Sequence, residues 1–182
     1  APEPTAAATG TATPTLADVG VSPSSSSVPT TPPVTVEPGQ QFRAWYFITN
    51  PNASSKNIGL GLSIVSPTGA TISDPSRDTT CTVPANATNY GCNRFFQVPS
   101  TAPAGTYSVI YALWDGTVGA SRQMSQVTQL GWLRVAAACT YSISPTSRSM
   151  GASGGVGSVS VTAPSGCSWT AGSNVSWVTI TS

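Results

Sequence analysis

The 182 residues contain no histidine, so neither a Ser–His nor a Cys–His nucleophile can be assembled from them. The six carboxylates are Glu3, Asp18, Glu37, Asp74, Asp78 and Asp115, and outside the N-terminal stretch only Asp74 and Asp78 are near neighbours, in ISDPSRDTTC. Two carboxylates flanking a glycosidic bond can share acid and base roles. Here Arg77 stands between them, and the Ser, Pro and Asp around them form a turn signal. A calcium ion would need more oxygen ligands than this pair offers. Turn capping is the plainer reading, and the chain is expected to be non-enzymatic, with no cofactor and no metal.

Four cysteines remain, Cys81, Cys92, Cys139 and Cys167. A zinc site is disfavoured because histidine and any Cys-x-x-Cys spacing are both missing. Four cysteines allow three pairings. Cys81–Cys92 and Cys139–Cys167 are preferred, since each pair falls inside one apparent domain, with buried free thiols as the alternative. Paired thiols point to an oxidising compartment and a secreted or cell-surface protein. The chain begins with Ala1 rather than Met, as signal-peptidase cleavage would leave it.

Aromatic side chains offer binding chemistry instead. In QFRAWYFIT (41–49), Phe42, Ala44, Tyr46 and Ile48 alternate with Arg43, Trp45, Phe47 and Thr49. In VTQLGWLRV (127–135), Leu130 and Trp132 oppose Leu133 and Val135. If the two strands are neighbours, Trp45, Phe47, Leu130 and Trp132 form one outward patch. Flat rings stack on the C–H faces of sugars, and an apolar patch of this kind equally fits another protein subunit. The third reading has both faces covered, by the N-terminal stretch or by a second domain.

The elements that must carry these residues are strands. Charged residues make up 7% of the chain, against about 25% in an ordinary soluble domain. There are 27 Ser and 25 Thr, one Lys (Lys56) and two Glu, which leaves almost no material for exposed helices. Ser, Thr, Val, Tyr, Gly and Pro suit strands and turns, and the composition predicts an all-β fold. A net charge of +1 with scattered cations gives no nucleic-acid footprint, and no apolar run is long enough for a membrane span. IGLGLSIV (58–65) puts Ile58, Leu60, Leu62 and Ile64 on one face, and TYSVIYALW (106–114) does the same with Tyr107, Val109, Tyr111 and Leu113. Turn signals separate these runs: EPGQ, NPNASS, SPTG, SDPSRD, PAG and WDG.

Three regions follow. Residues 1–33 are an extended arm or linker, 25 of them Ala, Pro, Ser or Thr, with Ala17, Val19 and Val21 alternating as one face of a short strand. Residues 34–136 read as a β-sandwich, and residues 137–182 as a further β-domain. VEPGQQFRAWYFITNP and FQVPSTAPAGTYSVIYALWDG resemble bacterial extracellular immunoglobulin-like modules, which implies a spacer, adhesin or accessory role without catalytic residues. The last region is similar to the BACON-type putative binding domain of secreted bacterial proteins. The matching residues are Cys139, Tyr141, Ile143 and Pro145, Val159 and Val161 after a Gly-rich turn, Gly166-Cys167-x-Trp169-Thr170-Ala171, and Ser176-Trp177. That resemblance implies a β-sandwich proposed to bind carbohydrate or mucin, with Trp169 and Trp177 in its packing. The chain ends about halfway through the family's pattern, so the second sandwich is expected to be incomplete.

Half a sandwich leaves backbone edges and apolar side chains uncovered, and a strand from another molecule would repair both defects. The arm supplies a candidate donor strand in Leu16, Val19, Val21 and Val28. Head-to-tail donation between copies need not close, and so builds filaments. The expected function is therefore a structural subunit of an extracellular bacterial filament or surface layer, a homo-oligomer joined by arm exchange. The alternative is a carbohydrate-binding or adhesive module of a larger secreted protein, with a polysaccharide or other glycan as partner.

Overall fold

Strict alternation of buried and half-exposed residues runs through Gln41–Asn50, and the same period of two organises the whole first unit. The computed structural model describes residues 12–164 and 167–181. In chain order the strands are β1 (Thr15–Pro23), β2 (Val34–Val36), β3 (Gln41–Asn50), β4 (Lys56–Val65), β5 (Thr71–Ser73), β6 (Thr79–Val83), β7 (Ala87–Gln97), β8 (Gly105–Asp115), β9 (Gln123–Val135), β10 (Ser142–Ser144) and β11 (Ser160–Thr162). A single 3-10 turn, Pro75–Arg77, links β5 to β6. The fold is all-β, and among the described residues no helix is long and apolar enough to cross a membrane.

Contacts divide the chain into Ala1–Ala137 and Ala138–Ser182. The first unit is a β-sandwich. One sheet has the order β1-β3-β7, and the other β2-β9-β8-β4-β5, with β6 also on β4. All pairings are antiparallel except β2 with β9. Phe42, Tyr46 and Ile48 of β3 and Phe96 of β7 meet Ile58, Leu60 and Ile64 of β4, Tyr107, Val109, Tyr111 and Leu113 of β8, and Leu133 of β9. Every one of these is fully buried. At about 25 cal/mol per Å² of apolar surface, such a core is the main term holding the sandwich.

The arm is not separate. β1 pairs with β3 from Thr15↔Thr49 to Pro23↔Phe42, and Val19 and Val21 lie in the core with Leu16 packed against it. Residues 24–30 then turn back, and Thr30 donates its backbone N–H to the Val21 carbonyl at 2.8 Å. The expected boundary at residue 33 therefore divides nothing. The candidate donor strand is corrected likewise: Leu16, Val19 and Val21 complete their own sheet, while Val28 stands 59% exposed in the return turn. The physical reason is register. The alternation of Val19 and Val21 matches the open edge of β3, and pairing there satisfies backbone groups that a free arm would leave to water. Residues 1–11 of the arm lie outside the described residues.

Four buried hydrogen bonds cross between the sheets, one of them from Asn50 Nδ2 on β3 to the Val83 carbonyl on β6 (3.3 Å). Tyr46 Oη on β3 donates to the Gly61 carbonyl on β4 (2.7 Å), and Tyr111 Oη on β8 donates to the Gly20 carbonyl on β1 (2.8 Å). Arg94 Nη1 on β7 donates to the Leu60 carbonyl on β4 (3.2 Å). The Cys81–Cys92 disulfide is a further tie, joining β6 of the larger sheet to β7 of the smaller with Cα atoms 6.2 Å apart.

Among its described residues the second unit holds one ladder, β10–β11, with Ser142↔Thr162, Ile143↔Val161 and Ser144↔Ser160 as its register. Cys139 and Cys167 form its disulfide, with Cα atoms 5.6 Å apart.

Candidate functional site

The Asp74–Asp78 pair is structural. Asp74 accepts from the Ser76 hydroxyl (2.6 Å) and from the Gln97 backbone N–H (2.8 Å), and forms an ion pair with Arg77 (3.3 Å). Asp78 accepts a short hydrogen bond from Arg94, whose side chain is wholly buried. Arg94 also donates to the Asp74 carbonyl (2.8 Å). Burial raises the Asp78 carboxyl above its ordinary range, and the Arg94 charge offsets only part of that rise. Both carboxylates are thus occupied in fastening the β5–β6 connection to β7. No group of three or more metal-ligating side chains occurs among the described residues.

The expected aromatic patch does not assemble. Trp45 and Phe47 sit on β3 in the smaller sheet, whereas Leu130 and Trp132 sit on β9 in the larger one. Trp45 is half-buried on the outer face. Its Nε1 donates to the Ser22 hydroxyl (2.9 Å), and the Arg43 guanidinium lies 5.4 Å from its ring and 4.7 Å from that of Phe95. Phe47 rests against Gly91 of β7. On β9 a bulge opposite Ser108 breaks the alternation, and Gly131 adopts φ +71°. That twist turns Trp132 inward, its ring edge-on to Tyr111 at 6.4 Å, while Leu130 stays 79% exposed. The four residues therefore have separate roles: a cation–π stack, a cover over a glycine, a packed ring and a free surface leucine.

The second unit presents the more open apolar surface. None of its described residues is buried. Trp169 and Trp177, expected in packing, are 48% and 81% exposed. Tyr141 Oη donates to the Ser168 carbonyl (2.9 Å), which holds that ring beside a cleft of about 860 Å³. Ile143, Val159, Trp169, Val178 and Ile180 also line it. Two strands bury too little to close over such a surface, and a two-stranded ladder is marginal by itself. The tryptophans are exposed because the described residues supply no opposing sheet.

A residue absent from the expected sites is Trp114, on the outer face of β8 beside Gly59 and Gly61 of β4. The glycines alternating with Ile58, Leu60 and Leu62 were the available signal: two glycines on one face of a strand leave room for a large neighbour.

No family model matches the chain. A search of curated proteins finds no match. Among solved structures, the chain is similar to the C-terminal domain of Wzt, with a TM-score of 0.44 and 12% identity over 69% of this chain and 74% of that one. A Paenibacillus sp. cycloisomaltooligosaccharide glucanotransferase gives a TM-score of 0.34 and 12% identity over 57% of this chain and 13% of that one. Spo0M, a sporulation control protein from Bacillus subtilis, gives 0.33 and 11% over 68% and 51%.

Proposed function

We propose that the chain is a non-catalytic structural protein of an extracellular bacterial filament or surface layer, in which copies pair across the second unit. The observation that carries this reading is the uncovered state of the second unit's described residues, 138–164 and 167–181. There the β10–β11 ladder has open edges, and Tyr141, Ile143, Trp169, Trp177 and Ile180 are all exposed. Open edges beside apolar side chains are what β-augmentation uses, the backbone supplying affinity and alternate side chains supplying register. A contact of this kind between unlike surfaces of two copies builds an open filament when its rotation does not close into a ring. Two disulfides in a chain this poor in charge accord with an oxidising, extracellular setting.

β1 can take part only by leaving its own β3 and entering that of a neighbour, a domain swap. Thr15 and Thr49 are register partners at the end of this pairing, so Thr15→Cys with Thr49→Cys locks β1 at home. Negative-stain electron microscopy and sedimentation velocity of the intact chain, the locked chain and Trp177→Glu/Ile180→Glu test the reading. The intact and locked chains are expected to assemble alike, and the double glutamate variant to stay monomeric. Monomers of the intact chain at every concentration would discard the proposal, and assembly lost on locking would move the joint to β1.

A further inference from the structure

The sheets of the first unit end in several edges, and all but one of them are blunted. β2 and β5 are three residues long and β6 is five. β1 carries Asp18, Pro23 and the return turn whose Thr30 bonds the Val21 carbonyl. On β7, side chains meet the edge groups. Asp74 Oδ2 accepts from the Gln97 backbone N–H (2.8 Å), and Arg94 Nε donates to the Phe95 carbonyl (3.2 Å). Short strands, charge, proline and covered backbone groups all keep an edge from pairing with another chain.

β9 is the exception. β8 lies on one side of it, and on the other β2 covers only residues 133–135. From 123 to 132 that side has no strand among the described residues, and no position there is buried, charged or proline. Bulges at Met124 and around Gly131 bound a regular stretch, residues 125–129, in unbroken register with residues 109–113 of β8. Its backbone groups that point away from β8 have no backbone partner among the described residues.

The residues along this edge select the strand that fits it. Met124-Ser125-Gln126-Val127-Thr128-Gln129-Leu130 has the same pattern in both directions: apolar, two polar, apolar, two polar, apolar. An antiparallel partner runs in the opposite sense, so a second β9 centred on Val127 meets this one like for like. Val127 then faces Val127 of the second copy, Ser125 faces its Gln129, Gln126 its Thr128, and Met124 its Leu130. A centre one residue away sets Val127 against Ser125 or Gln129 instead. Directly opposed residues share a face of the sheet. Both copies of Val127, half-buried at the margin of the core, therefore cover each other, and Leu130, 79% exposed, gains an apolar neighbour.

We propose that β9 is a two-fold interface, where residues 125–129 of two copies pair antiparallel about Val127 and join their larger sheets. The contact is isologous and closes at two copies, so it neither needs nor replaces assembly through the second unit. So short an edge buries far less than a stable dimer requires, and the joint unaided has a dissociation constant of about 0.1 mM. Copies already held by another contact meet at about millimolar effective concentration, where this joint closes.

The test uses the full chain carrying Trp177→Glu/Ile180→Glu, so that contacts through the second unit do not contribute. In sedimentation velocity this parent is expected to be monomeric at about 10 µM and mostly dimeric at about 1 mM. Positions 126 and 128 are exposed, so changes there leave the sandwich intact. Adding Gln126→Lys/Thr128→Lys sets like charges directly opposite across the joint and is expected to give monomers throughout. Adding Gln126→Lys/Thr128→Glu sets opposite charges there and is expected to dimerise at least as well as the parent. Disulfide formation in oxidised glutathione reads the register. Val127→Cys opposes itself and is expected to cross-link, whereas Gln126→Cys or Thr128→Cys lies a diagonal step of about 7–8 Å from its own copy and is not. Monomers of the parent or of the lysine–glutamate variant at about 1 mM overturn the inference. So do dimers of the double lysine variant, or a Val127→Cys chain that cross-links no faster than the other two.

Discussion

Arg94 shows how a single side chain can make two candidate catalytic groups structural. It occupies an inward position of β7 between Cys92 and Phe96, where a sandwich ordinarily places an apolar residue. Its charge is tolerated because Asp78 pairs with it and the Leu60 and Asp74 carbonyls accept from it. Arg94→Met removes the cation and strands those acceptors. We expect a loss of about 3 kcal/mol in urea unfolding followed by tyrosine and tryptophan fluorescence. Tyr46 and Tyr111 bear on alkaline stability. Burial raises the pKa of both phenols well above the ordinary value, so folding favours their neutral forms. A group whose folded pKa is raised contributes stability that is fully present below its unfolded pKa. That contribution is lost as pH climbs toward the folded one. Stability is therefore expected to hold up to about pH 10 and fall above it. In absorbance titration, phenolate from these two tyrosines should appear together with unfolding. Their ionisation in a chain still folded by circular dichroism would contradict this.

Among the elements, β1 and β9 departed most from their expected roles. β1 belongs to the core through Val19 and Val21, so Val21→Ala should cost about 2 kcal/mol. Val28→Ala, in the exposed return turn, should cost almost nothing. Equal effects in urea unfolding would mean that β1 is not held in its own sheet. On β9 the bulge depends on Gly131 at φ +71°, a conformation that costs other residues about 1–2 kcal/mol. Gly131→Ala should destabilise the sandwich by about that amount and move the Trp132 emission, because the bulge is what brings that ring onto Tyr111. The period-two runs of β3, β4 and β8 could be read directly, since half-buried strands write their inward face into alternate positions. β7 could not: ATNYGCNRFFQ has weak strand propensity, with Arg94 at an inward place, and is held by pairing and by the Cys81–Cys92 bridge.

For the molecule as a whole, the two units should respond differently to reductant. The first has a large core, and its disulfide closes a short separation of 11 residues, so reduction should cost it about 2–3 kcal/mol and leave it folded. The second buries none of its described residues and depends on the 28-residue separation closed by Cys139–Cys167. Dithiothreitol is expected to expose residues 138–181 to proteolysis first, with fragment masses ending near Ala137. Cleavage within the β-sandwich before that point would reverse this order.

Composition and alternation alone made the all-β class and the inward faces of β3, β4 and β8 legible, because residue type and a period of two are local properties of a chain. Which strands lie side by side is not local. Trp45 and Trp132 both point away from a predicted inward face, yet sheet order places them on different sheets, and one bulge at Gly131 reverses the sense of Trp132. The arm looked detached because Pro and Ala carry little strand signal, and only the open edge of β3 gave Val19 and Val21 a place to be buried. Gly59 and Gly61 were plain in the sequence. That they seat Trp114 depended on β8 lying next to β4, a contact between residues about fifty positions apart.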